Sequence, residues 1–411
     1  MKSKRLHYSW VLVIAASFMA FINSIGAFTF GLYLKPLAME FNCGRAVISG
    51  ARSLSGLLSG VLGIGTGALT DRYGPRILIT FSGILAGLGL LLMSRVNSVW
   101  QIYLLYGVIM AIGLSCFNVP TYSTIPRWFT QKRGIALGII HTGFGLGGMI
   151  MTPLVQWFIS GYGWRPSYLI VGLLTLVVVT PLAQFMKHSP QRIGLKPYGE
   201  NGTLAEEQPL ESDAGGVPFT RAIKTSRFGL FASILFCFMF CLGVVMTHIF
   251  PHATDIGISA TTAANIIVFF SGSGIIGKLS IGFIADRIGT RLSLSIYLMG
   301  VTLALMGLLF AEEIWTLYVF ATVFGIGYGG VITLPAAVAA ELFGLEYVSM
   351  IFASLMFFGT VGAALGPVLA GSLFDITGNY TLAFLICVIL SALSVLLSLI
   401  LLRYKGKKEV A

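Results

Sequence analysis

Lys278 is the one charge in a stretch that is otherwise uncharged from Ala263 to Ala285, in the segment "SGSGIIGKLSIGFIADRIG" at 271–289. An ammonium offers up to three N–H donors, so in an apolar setting its natural task is to hold an anion. Placing a basic residue at mid-helix in hydrocarbon costs about 2.5–3.5 kcal/mol even on a lenient scale, and such residues usually face a cavity. The competing reading is a side chain that snorkels to the nearest water or packs neutral. Gly274 and Gly277, beside it, favour a cavity, since glycines leave room for a ligand or for a close helix. A buried lysine without a counter-charge gives up its proton in a way that an arginine does not. The expected chemistry is therefore an ammonium that is substantially neutral when empty and charged when an anion arrives.

Other polar groups sit in apolar runs. None is acidic, which leaves histidine as the next proton carrier. His248 lies in "MTHIFPHATD" and His141 in "GIIHTGFG"; His141 either faces a central cavity or hydrogen-bonds a neighbouring helix. Asp255, just beyond His248, reads as a solvated loop carboxylate, with a proton-relay or gating role as the alternative. Asn118 and Tyr122 stand one helical turn apart, and Tyr328 sits among glycines in "GIGYGG". Each can donate to a carboxylate or hydroxyl, or serve as interhelical glue. Phe28 and Phe358 could close a cavity, although among 30 Phe a core role is the default. Cys237 and Cys241 have a spacing that suits helix packing better than metal ligation. Paired carboxylates, metal spacing and a nucleotide loop are absent, so no enzyme and no cofactor are expected.

These groups need a frame. The 411 residues are 56% hydrophobic and 10% charged, with mean hydropathy +0.90, more apolar surface than a water-soluble domain can hide. Twelve apolar runs are each long enough to cross about 30 Å of hydrocarbon at about 1.5 Å per helical residue. They lie near 9–34, 47–70, 76–94, 99–124, 134–157 and 166–186, then 227–250, 262–285, 291–311, 315–340, 349–372 and 381–403. The alternating pattern of a barrel is missing, so the runs are helices. The opening "MKSKRLHYSW" has a basic start, but the run after it is too long for a signal peptide and ends in no cleavage site; it is expected to stay as helix 1. Lys278 falls eight residues before Asp286, roughly 12 Å along helix 8 from its end.

The net charge of +11 is distributed by side: 20 of the 26 Lys and Arg fall on one face of this topology, the face that holds both ends of the chain. That pattern suits a multi-pass protein of a cell inner membrane with both termini cytoplasmic, and no nucleic acid. The one long polar interval follows helix 6 and is rich in Pro, Gly and Glu. It divides the chain into a six-helix half at 1–186, a cytoplasmic linker at 187–226 and a second half at 227–411. The Asn201-Gly-Thr sequon would face the cytosol and stay unglycosylated. "GALTDRYGPR" at 67–76 recurs as "GFIADRIGTR" at 282–291, which aligns Gly67, Asp71, Arg72, Gly74 and Arg76 with Gly282, Asp286, Arg287, Gly289 and Arg291 at a spacing of 215. "PRWFTQKRGIALG" with Pro153 echoes "AELFGLEYVSMIFAS" with Pro367 at a spacing of 214. Duplicated six-helix halves belong to one transporter architecture, with a midplane substrate site.

The repeated G-x-x-x-D-R-x-G-x-R element resembles the loop motif of the major facilitator superfamily, over the whole chain. Finer segments resemble its monocarboxylate transporter family and the bacterial oxalate:formate antiporters: "EFNCGRAVISGARSLSGL", "RWFTQKRGIALGIIHTGFGLGG", "THIFPHATDIGISATTAANI" and "GPVLAGSLFDITGNYTLAF". The acidic-Gly pattern that many animal members carry in helix 1 is replaced by "FINSIGAFTFG". The resemblance implies an all-α integral membrane protein of twelve helices in the major facilitator fold, working as a monomer. It also implies that Lys278 stands where the family has a carboxylate-holding arginine, that His248 lines the outer part of the substrate cavity, and that Asp71, Arg72, Asp286 and Arg287 brace helix ends. One fixed cation suits one carboxylate, so the expected cargo is a lactate- or pyruvate-like monocarboxylate carried with a proton. The alternatives are an oxalate:formate-type exchanger, whose relatives carry a second basic residue in helix 11 that is absent here, and a sensor or drug exporter on the same fold.

Overall fold

A computed structural model describes residues 7–199, 217–344 and 347–404. Asn201 and the terminal basic residues Lys2, Lys4, Arg5, Lys405, Lys407 and Lys408 lie outside the described residues. Among the described residues, twelve helices are long and apolar enough to span a membrane. In chain order they are α1 (Tyr8–Phe28), α2 (Arg45–Tyr73), α3 (Pro75–Met93), α4 (Val99–Trp128), α5 (Arg133–Tyr162) and α6 (Trp164–Phe185). Then follow α7 (Ser226–Asp255), α8 (Ala260–Ile288), α9 (Thr290–Leu308), α10 (Ile314–Phe343), α11 (Val348–Thr377) and α12 (Thr381–Arg403). Most extend past the apolar runs that announce them, because a helix continues through the interface after its hydrophobic stretch has ended. The first run is interrupted: α1 stops at Phe28, where the Thr29 hydroxyl donates to the Ile25 carbonyl at 2.8 Å, and a separate helix covers Phe30–Glu40.

Contacts divide the chain into two compact units, one of residues 1–43 and 50–204, the other of 44–49 and 205–411. In the first, α1 lies against α5 across Gly143 and Gly147; a Cβ on Gly143 would fall 2.5 Å from the Ser17 carbonyl oxygen, and one on Gly147 2.9 Å from the Phe21 carbonyl carbon. In the second, α7 lies against α11 across Gly362 and Gly366, which face the backbone of Phe236 and Phe240 in the same manner. Inside a membrane no hydrophobic force separates one apolar surface from another, so backbone approach through small residues supplies the packing. Gly147→Val is therefore expected to destabilise the fold by about 1–3 kcal/mol, the usual cost of overpacking. A thermal-shift measurement in detergent checks this, and an unchanged midpoint would contradict it.

The helix ends are set locally. Thr225 caps α7 by accepting from the Phe228 N–H at 3.3 Å, and Ser259 caps α8 by accepting from the Thr262 N–H at 3.2 Å. The tight turns from α2 to α3 and from α8 to α9 pass through Gly74 (φ +82°) and Gly289 (φ +87°), a left-handed backbone that only glycine adopts without strain. That requirement is the physical content of the second glycine in each copy of the repeated motif.

Candidate functional site

Lys278 projects from α8 with its Nζ 5.4 Å from the centroid of the Tyr328 ring on α10. Side chains on a helix lean toward its N-terminus, and the same ring lies 3.4 Å from where a Cβ on Gly274 would sit, one turn earlier. Gly274 and Gly277 therefore do not open the expected cavity but serve a close helix. A Cβ on Gly277 would be 3.0 Å from the Ile326 Cα, and one on Gly329 2.8 Å from the Lys278 nitrogen, so α8 and α10 cross almost backbone to backbone. The crossing pins the lysine stem and the phenol ring in register. Lys278 is half-buried, and among the described residues no carboxylate or hydrogen-bond acceptor is recorded on its ammonium. An ammonium whose donors are unused is able to donate hydrogen bonds to an anion.

His248 on α7 is fully buried. Its Nε2 is 2.8 Å from the Pro367 carbonyl oxygen, which can only accept, so Nε2 carries the proton and Nδ1 is left to accept. Nδ1 takes a hydrogen bond from the Tyr380 hydroxyl at 3.1 Å, and Ser49 Oγ lies 3.3 Å from Nε2. Burial raises the Tyr380 phenol well above the ordinary tyrosine range, with Arg45 opposing, so it remains a donor. The Tyr380 oxygen in turn accepts from Arg45 at 2.7 Å, and the Arg45 guanidinium grips both oxygens of Asp255 at 2.6 and 3.0 Å. Arg45 also lies 3.6 Å from the Phe374 ring centroid, and the Asp375 carboxylate accepts from the Arg45 and Ala46 N–H groups at 2.8 and 3.0 Å, capping the first turn of α2. All of these residues belong to the second unit. Sequence reasoning did not single out Arg45, Asp375 or Tyr380, although all three fall in segments that carry the family resemblance. Asp255 sits inside this hydrogen-bonded chain, its side chain 25% exposed.

In the first unit the Tyr122 and His141 rings stack at 4.9 Å and 17°, with the Tyr122 hydroxyl 3.5 Å from His141 Nδ1. Asn118, one turn before Tyr122, is exposed. Phe28 is buried against Phe144 at 5.2 Å. Phe358 faces Phe228 at 6.1 Å and lines a separate groove of the second unit.

The two motif copies act differently. In the first unit Asp71 accepts from Arg127 at 2.7 Å, and Arg127 also donates to His188 Nε2 at 3.1 Å. Through hydrogen bond and charge, Arg127 holds the Asp71 carboxyl below its usual range. The pair's contribution is thus complete above the ordinary carboxylate pKa of about 3.9 and is lost only as the pH falls through the depressed value. In the second unit the position equivalent to Arg127 is Glu341, and it is the motif's last basic residue, Arg291, that binds it, Nε to Oε1 at 2.8 Å. The charge is reversed on the brace, and the opposite end of the motif holds it.

A sequence model of the Major Facilitator Superfamily matches residues 16–311 and 232–411. Monocarboxylate transporter 13 of Rattus norvegicus is 28% identical over 384 residues, covering 92% of this chain and 85% of that protein. The MFS-type transporter YcxA of Bacillus subtilis (strain 168) is 27% identical over 402 residues, 95% of this chain and 93% of that one. Among solved structures, a bacterial homolog of the human lysosomal transporter Spinster, inward-facing and unoccupied, superposes with TM-score 0.74 at 17% identity over 98% of both chains. With twelve spanning helices, two glycine-turned motif copies and a family match that runs from residue 16 to the C-terminus, the chain belongs to the Major Facilitator Superfamily and is a multi-pass membrane transporter, not an enzyme.

Proposed function

We propose that the protein carries a small monocarboxylate, lactate- or pyruvate-like, together with a proton by alternating access, and that Lys278 is the residue that holds the carboxylate. The observation that carries this reading is the half-buried ammonium with its donors unused beside Tyr328, in apolar runs (262–285 and 315–340) free of acidic residues. The similarity to proteins named monocarboxylate transporters supports it. Binding of the carboxylate would charge the lysine, so that no net charge crosses with the substrate. The Tyr328 ring then lies beside the ammonium and its hydroxyl is the donor offered to the anion, with His248, Asn118, Tyr122 and His141 as further polar groups along the path and Asp255 in proton transfer. In this reading the protein works as a monomer in a cell inner membrane, both termini cytoplasmic.

Purified protein in proteoliposomes, offered a panel of radiolabelled mono- and dicarboxylates under a set pH gradient, tests the proposal. Accumulation of short monocarboxylates that follows the proton gradient is the expected result. Accumulation of dicarboxylates only, in exchange for internal substrate, would favour the exchanger instead. Asp71→Asn is expected to slow turnover while leaving the ranking of substrates unchanged, since the Arg127 contact lies at a helix end. A change confined to selectivity would contradict that role.

A further inference from the structure

The second unit carries a groove of about 530 Å³ lined by Phe228, Ala232 and Phe236 of α7, Phe358 of α11 and Leu390 and Leu393 of α12, with Ile223 at its mouth. Ile223, Phe358 and Leu393 are each more than 40% exposed, and so are Phe357 and Ile389 beside them. In a membrane helix such surface meets acyl chains. Gly229 is the reason that the groove stays open: a Cβ there would meet nothing within 4 Å.

At the mouth the chain turns from Phe219–Ala222 into α7, and this turn carries Arg221 and Lys224, both exposed, with no acidic residue between Val217 and Leu230. The turn is held in place, since Val217 N–H donates to the Phe343 carbonyl at 2.9 Å and the Arg221 and Ala222 N–H groups donate to the Pro218 carbonyl. An apolar slot with two exposed cations on a backbone-held turn at its interfacial end has the layout of a phospholipid with a negative headgroup. We propose that the groove holds an acyl chain of an anionic phospholipid whose phosphate rests on Arg221 and Lys224.

Native mass spectrometry of the purified chain, titrated with palmitoyl-oleoyl phosphatidylglycerol or phosphatidylethanolamine, tests this. Phosphatidylglycerol adducts are expected to dominate, and that preference is expected to fall roughly fivefold for each charge removed in Arg221→Gln and Lys224→Gln. Gly229→Leu is expected to suppress adducts of both lipids while the thermal midpoint holds, because the new side chain enters empty space. Equal binding of the two lipids, or a preference untouched by the paired Arg221→Gln and Lys224→Gln changes, would overturn the assignment. A dimer peak that Gly229→Leu abolishes would give the groove to a second copy of the chain, and would overturn it as well.

Discussion

Lys278→Arg is expected to keep carboxylate recognition while it loses proton coupling. A guanidinium stays charged at any accessible pH, so it can hold the anion but cannot pick up a proton with it. Substrate-induced proton uptake, measured with a pH-sensitive dye in weakly buffered proteoliposomes, should fall from about one proton per carboxylate to near zero, the lysine being a single titratable site. The substrate flux that remains should become sensitive to membrane potential, at about 2.3 kcal/mol per elementary charge per 100 mV. Full proton coupling in Lys278→Arg would remove the lysine from the proton path and direct attention to His248 and Asp255, which the structure links through Tyr380 and Arg45.

Arg45→Gln is expected to give the largest loss of stability of any single charge removal in the chain. It deletes a two-pronged grip on Asp255, a hydrogen bond to Tyr380 and a stack on Phe374 in one step. The side chains are 12% and 25% exposed, so the effect belongs at the low end of what breaking a buried pair costs, on the order of 3 kcal/mol. Arg165→Gln is the internal control. Its partner Glu40 is at the same distance within 0.2 Å, but the side chains are 39% and 43% exposed, and such surface pairs contribute about 0–1 kcal/mol. Asp375→Asn should fall between the two, because an amide oxygen still caps the first turn of α2 while the charge at the helix N-terminus is lost. Thermal unfolding of the three variants side by side checks the order, and equal shifts for Arg45→Gln and Arg165→Gln would contradict it.

The twelve spans are legible in the sequence because hydrocarbon imposes a length and a composition on anything that crosses it. What the apolar runs do not reveal is where a helix continues after leaving the lipid. The eleventh run reads as 349–372 but the helix reaches Thr377, and the added turn is the one that bears Asp375. The candidate site divides along the same line. Lys278 and Tyr328 stand out because a polar group in an apolar run needs a reason, whereas Arg45 and Asp375 occupy helix ends, where charge is ordinary and only three-dimensional proximity distinguishes them. The glycines around Lys278 show a different limit: their spacing permits either a cavity or a close helix, and the approach of Ile326 decides for the helix. The motif repeat is visible as letters, but not the exchange by which Asp71 holds Arg127 in one unit and Arg291 holds Glu341 in the other.

The most direct test of the account is uptake of a radiolabelled monocarboxylate by Lys278→Gln in proteoliposomes, compared with the wild-type protein at equal incorporation. Removing a charged hydrogen-bond donor from its anion costs about 1.5–3 kcal/mol, so uptake at low substrate should drop by roughly ten- to a hundredfold, while the thermal midpoint of the substrate-free protein holds, because the lysine that is replaced is neutral when the site is empty. If the glutamine variant accumulates every tested organic anion as well as the wild type does, Lys278 is not the carboxylate anchor.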